Sequence, residues 1–169
     1  MLSEGMAQTG GDKLASFLDG IDASRTDDPH LTAVGHSYGS LTTGLALQEG
    51  TGVDDAVFMG SPGIGTDNLG DLQISGDAYT IASGGDAVAA LGRFDGDPRE
   101  IAGVHDLSTR AADIVMPDGT AVALMSTDRF EGPLLDRVGS HSDYYKVDTT
   151  SQFDQAAVIA GIADMAVAR

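Results

Sequence analysis

Leu31-Thr32-Ala33-Val34-Gly35-His36-Ser37-Tyr38-Gly39 joins a short apolar run to a turn in which glycines flank a serine. The run follows a break at Asp27-Asp28-Pro29 and reads as a buried strand; Leu41 to Glu49 after the turn has helical composition and stops at Gly50. The stretch is therefore strand, tight turn, helix, with a Gly-x-Ser-x-Gly pattern at the junction. In a chain with 23 glycines chance alone yields roughly 0.2 such matches, so the flanking strand and helix carry the weight. A serine held on a strained strand-to-helix turn stands clear of the sheet, and the helix behind it offers free amides and a positive dipole end. Gly35 and Gly39 are expected to leave room where side chains would clash.

Outward from this turn the pattern repeats. Ala56-Val57-Phe58-Met59 is a second apolar run, ending in Gly60-Ser61-Pro62-Gly63, and Ala78-Tyr79-Thr80-Ile81-Ala82 is a third, ending in Ser83-Gly84-Gly85-Asp86. Val122 to Met125 reads as a fourth strand, and 94–110 as polar and irregular. Upstream, Leu14, Phe17, Leu18 and Ile21 form a helical stripe with Asp12 as its cap. Near the end, Thr149-Thr150-Ser151 with Asp154 resembles a capping box opening a helix that carries Val158, Ile159, Ile162 and Met165. Strands alternating with helices, and apolar without interruption, predict an α/β fold: a mostly parallel sheet with flanking helices.

A serine nucleophile needs a base, and the base an orienting acid. After a turn of this kind the partners follow in the order Ser, Asp/Glu, His. Asp86 sits past the third strand, in a turn, and is the candidate acid among 22 aspartates. His141, in Gly139-Ser140-His141-Ser142 ahead of the last helix, is the candidate base. Of the other histidines, His30 precedes the serine, His36 lies inside the turn and is expected to pack or hydrogen-bond beside the sheet, and His105 is the runner-up. The Tyr38 N–H is the candidate oxyanion donor, and no loop ahead of the first strand offers an obvious second.

Composition narrows the classes. Nine Lys+Arg against 26 Asp+Glu give a net charge of -17, which repels nucleic acid and anionic membranes. The absence of cysteine excludes disulfides, thiolate metal sites and a cysteine nucleophile. No apolar run has the length of a membrane span, no His-x-x-x-His pair or EF-hand loop occurs, and the Gly-rich turn lacks the lysine of a P-loop. The N-terminus lacks a signal-peptide pattern, which favours the cytoplasm over secretion. At 169 residues the chain is expected to form one domain.

The GHSYGS turn at Gly35–Ser40, the GSPG turn at Gly60–Gly63, GDAV at Gly85–Val88 and HSDYY at His141–Tyr145 resemble an actinobacterial α/β-hydrolase family; Ala87 stands where proline is common. The resemblance implies one α/β-hydrolase-like domain over 1–169 and a Ser37–Asp86–His141 triad that agrees with the assignment above. The expected function is hydrolysis of a small-molecule or lipid carboxylic ester through an acyl-enzyme on Ser37, without a cofactor. Relatives are expected to carry about two further strands ahead of the first helix, one leading into the oxyanion loop. Without them the Leu31–Val34 strand lies at a sheet edge, which invites pairing with a second copy or indicates part of a longer protein. The alternative function is a degenerate, non-catalytic module for binding or assembly.

Overall fold

A computed structural model describes residues 3–128 and 141–169. The main elements are α1 (Glu4–Ala23), β1 (Thr32–His36), α2 (Tyr38–Leu47), β2 (Asp55–Met59), β3 (Ala78–Ile81), β4 (His105–Leu107), β5 (Ala112–Val115), β6 (Ala121–Leu124) and α3 (Thr150–Ile159). Strands β1-β2-β3-β4 form one parallel sheet in sequence order, and β5 and β6 form a separate antiparallel pair.

All five residues of β2 are buried, and successive side chains point to opposite faces. Ala56 and Phe58 pack with Leu18, Leu47 and Leu72 on the side of α1 and α2, whereas Val57 and Met59 pack with Tyr144 and Val158 on the side of α3. The sheet is thus covered on both faces, which is why β2 and β3 read as unbroken apolar runs.

Several sequence expectations are corrected. Helix α1 starts after Ser3, not at Asp12. Of the predicted stripe, Leu18 is buried and Leu14 packs against the core, whereas Phe17 is 63% exposed; the other buried positions, Ala7, Gly11 and Ala15, are small residues that let the helix lie close against α2 and that carry little hydropathy signal. The fourth strand of the main sheet is His105–Leu107, inside the stretch read as irregular, because three residues with two polar side chains show no period. Residues 122–125 do lie in or beside a strand, but that strand pairs with β5 away from the main sheet. The cap of α3 is Thr149, whose hydroxyl accepts from the Gln152 N–H; Ser151 instead bonds Thr127, and Asp154 turns to the C-terminal segment. The helix ends at Ile159, so Ile162 and Met165 lie beyond it.

The two sheet edges differ. Along β4 the C-terminal segment runs antiparallel: Leu107 bridges Ala168, Ser108 N–H donates to the Val167 carbonyl at 2.7 Å, and Arg169 N–H to that of Asp106 at 3.0 Å. Beside β1 no strand lies among the described residues. The C-terminal strap is also held by Asp154, which is fully buried; its Oδ1 accepts from the Val167 N–H at 2.8 Å and its Oδ2 has no partner among the described residues. Burial pushes this carboxyl from 3.8 up to about 7, against the Val167 bond.

Asp154 therefore stays protonated in the folded chain where the unfolded chain has lost its proton. The resulting stabilisation is complete below about pH 4 and is lost as pH rises through about 7. Asp154→Asn keeps an acceptor for Val167 and cannot ionise. Urea denaturation should show the variant gaining on the wild type between about pH 4 and pH 7, by up to roughly 4 kcal/mol, and no further above that. A difference independent of pH would show that the carboxyl is not held neutral.

Candidate functional site

The three side chains singled out at Ser37, Asp86 and His141 meet beyond the carboxyl ends of β1, β2 and β3, the end of an open parallel sheet where ligands bind. Ser37 follows β1 directly and has φ 57° and ψ -133°, a strained conformation for a residue with a side chain. Its N–H donates to the Met59 carbonyl at 2.9 Å, which ties the turn to β2. A Cβ at Gly35 would stand 2.8 Å from the Ser40 Cα, so the glycine there is required; at Gly39 a Cβ would meet nothing within 4 Å, and that expected clash does not exist. Tyr38 is the first residue of α2, a position whose N–H has no acceptor within the helix.

Ser37 Oγ lies 2.7 Å from His141 Nε2, and His141 Nδ1 lies 2.8 Å from Asp86 Oδ2. With the proton on Nδ1, the ring donates to the carboxylate and accepts from the serine hydroxyl. Gly139 and Ser140, the start of the predicted histidine loop, lie outside the described residues. His36 donates from Nε2 to the His141 carbonyl at 2.6 Å, with the two rings 4.8 Å apart. Burial lowers the His36 pKa despite that bond, so His36 is a neutral brace. The runner-up His105 starts β4 at the opposite end of the sheet, stacked on Tyr79 and 3.5 Å from Asp77; His30, beside Asp54 and Asp55, is also at that end.

Asp86 is 3% exposed. Burial drives its carboxyl upward, but bonds from His141, Tyr144 and the Ala89 N–H together outweigh it and hold the group below its usual range. Oδ2 accepts from His141 and from the Tyr144 hydroxyl at 2.7 Å, and Oδ1 accepts from the Val88 and Ala89 amides at 2.8 and 3.1 Å. Tyr144 was not among the candidates. It is fully buried, accepts from the Ser83 N–H at 2.9 Å, and is kept un-ionised by burial and by Asp86. The signal for it was its place three residues after His141.

Gly60 lies beneath this cluster at φ 52°; a Cβ there would stand 2.7 Å from Asp86 Oδ2 and 3.0 Å from His141 Nδ1. The glycine ending β2 thus sets how closely acid and imidazole approach. Among the described residues, no three His, Asp or Glu side chains converge as a metal site requires. No helix among them is long and apolar enough to cross a membrane.

Residues 1–96 match the sequence model of an α/β-hydrolase family. An uncharacterized protein of Mycobacterium bovis and two of Mycobacterium tuberculosis are each 40% identical over 101 residues, covering 56% of this chain and 38% of the relative. The chain thus matches well under half the length of these curated relatives. No solved structure matches it.

Tyr144→Phe should cost about 1–3 kcal/mol in urea denaturation at pH 7, because the buried Ser83 N–H loses its acceptor. It also removes one of the bonds that hold the Asp86 carboxyl low. The stability contributed by those bonds is present above about pH 4 and is lost as pH falls through the folded value. The deficit of the variant should therefore shrink between pH 7 and pH 3. A deficit of constant size would mean that the hydroxyl does not serve the carboxylate.

Proposed function

The chain belongs to an α/β-hydrolase family, and from that premise we propose that it is a serine hydrolase of carboxylic esters acting through an acyl-enzyme on Ser37. The observation that carries this reading is the continuous hydrogen-bonded chain from Ser37 through His141 to Asp86. Ser37 Oγ attacks the acyl carbon while His141 Nε2 takes its proton, and the same nitrogen then gives that proton to the departing alcohol. Asp86 holds the imidazole tautomer and stabilises the imidazolium. The Tyr38 N–H, at the start of α2, donates to the oxyanion. Water, deprotonated by His141, releases the acid and restores the serine. Alcohols leave more readily than amines, which places esters ahead of amides. Residues 1–169 form one such domain in this reading, with no cofactor.

A second reading, a non-catalytic module for binding or assembly, is favoured by the open β1 edge. Val34 is 37% exposed there and the Thr32 hydroxyl is buried without a partner among the described residues. An edge of this kind supports pairing with a second copy. An oxyanion site with one amide donor instead of two is about 100- to 1,000-fold slower.

Hydrolysis of p-nitrophenyl butyrate by the wild type, with a loss of at least about 1,000-fold in Ser37→Ala, is the expected outcome. A folded wild type that neither turns over the ester nor is labelled at Ser37 by a fluorophosphonate would favour the second reading.

A further inference from the structure

Two cavities share one lining residue. The first, about 110 Å³, opens at Ser37 and is lined by Tyr38, Pro62, Val88, Leu91 and Phe94, with Arg93 as its one charged residue. The second, about 290 Å³, lies between α1 and α2 against Leu41, Leu45, Gly65 and Phe94, with Glu4 and Asp95 at its polar end. Among the residues lining them, Phe94 alone is common to both.

Phe94 is firmly placed. It is 8% exposed and packs with Leu41 and Ala7. Its N–H donates to the Pro62 carbonyl at 3.0 Å, and the next carbonyl, that of Asp95, accepts from the Ile64 and Gly65 amides at 3.1 and 2.8 Å. The Tyr38 ring meets it edge-on, centroids 5.7 Å apart, and the Arg93 guanidinium lies 5.6 Å from its centroid. The segment is thus fixed by its backbone bonds and the ring by its packing against Leu41, Ala7 and Tyr38.

We propose that Phe94 is the residue that sets acyl-chain length, closing the Ser37 cavity to all but short acyl groups and walling off a second cavity that would otherwise continue it. The proposal rests on the reading of Ser37 as the nucleophile. At about 30 Å³ per water-sized group, the first cavity holds roughly four heavy groups and the second roughly ten more. The ester class favoured is therefore acetyl to butyryl. The lining of the first cavity is mainly apolar apart from Arg93, whose guanidinium lies 5.6 Å from the Phe94 ring centroid, so the acyl group favoured is an unbranched alkyl chain and not a cationic one. With the ring truncated, the two spaces join into one channel long enough for an acyl chain of about ten carbons.

The test is a p-nitrophenyl ester series from acetate to decanoate on the wild type, Phe94→Leu and Phe94→Ala, with butyrate esters of longer alcohols as the control. The wild type should prefer acetate to butyrate. The ratio of kcat/KM for decanoate over butyrate should rise at least about tenfold in Phe94→Ala, with Phe94→Leu between, while the alcohol series stays unchanged. Phe94→Leu keeps an aliphatic contact with Leu41 and serves if the alanine variant does not fold.

Calorimetric titration of decanoate into Ser37→Ala and Ser37→Ala/Phe94→Ala gives a readout that needs no turnover. Tighter decanoate binding in the double variant supports the partition even if no ester is cleaved, in which case the hydrolase reading alone fails. Hydrolysis by a wild type that already prefers decanoate overturns the proposal. So does a chain-length profile and decanoate affinity unmoved by Phe94→Ala, or a change that follows the alcohol instead of the acyl group.

Discussion

The carboxylate of Asp86 is the constraint around which the rest is arranged. A buried ionised carboxyl is tolerated only where its lone pairs are filled. Here an imidazole, a phenol and two amides fill them. Each donor comes from a different requirement of the fold. The amides come from the 3₁₀ turn that follows β3, the phenol from the segment that leads into α3, and the imidazole from that segment's first described residue. Gly60 leaves the space in which they meet. The turn after β3 and the segment leading into α3 are therefore coupled through one charged group, and both must be in place before the carboxylate is stable where it lies.

The same carboxylate explains why the tyrosine matters. Tyr144 joins the Ser83 amide to Asp86 through one hydroxyl, so the backbone that delivers the acid and the acid itself share a partner. The phenol is a donor only while it keeps its proton, and both burial and Asp86 guard that proton. His36 does the comparable service on the other side, gripping the His141 carbonyl while its own ring stays neutral.

Much of this was legible in the residues. Strands β2 and β3, mostly apolar apart from Asp55 and Thr80, could be read because both faces are buried, and the strand–turn–helix at Ser37 because its glycines and apolar flanks fall in one order. Chain order and turn context selected Asp86 among 22 aspartates and His141 over His105, and the structure brings both beside Ser37. The missed features have a common cause. The first half of the buried face of α1 is built from Ala and Gly, β4 is three residues with polar letters, and Asp154 is an aspartate buried where its residue type predicts solvent. In each case contact, not composition, decides burial, and contact is a tertiary property.

The unequal edges of the sheet give the molecule a direction of growth. The β4 side is closed by the chain's own C-terminal segment, bonded antiparallel and fastened by Asp154 and Arg169. Beside β1 no strand lies among the described residues, and β1 is the strand that leads into Ser37. A strand added in parallel there would end at the level of the turn that carries Ser37. Lengthening of the sheet at that edge would then be felt first at the turn that carries Ser37.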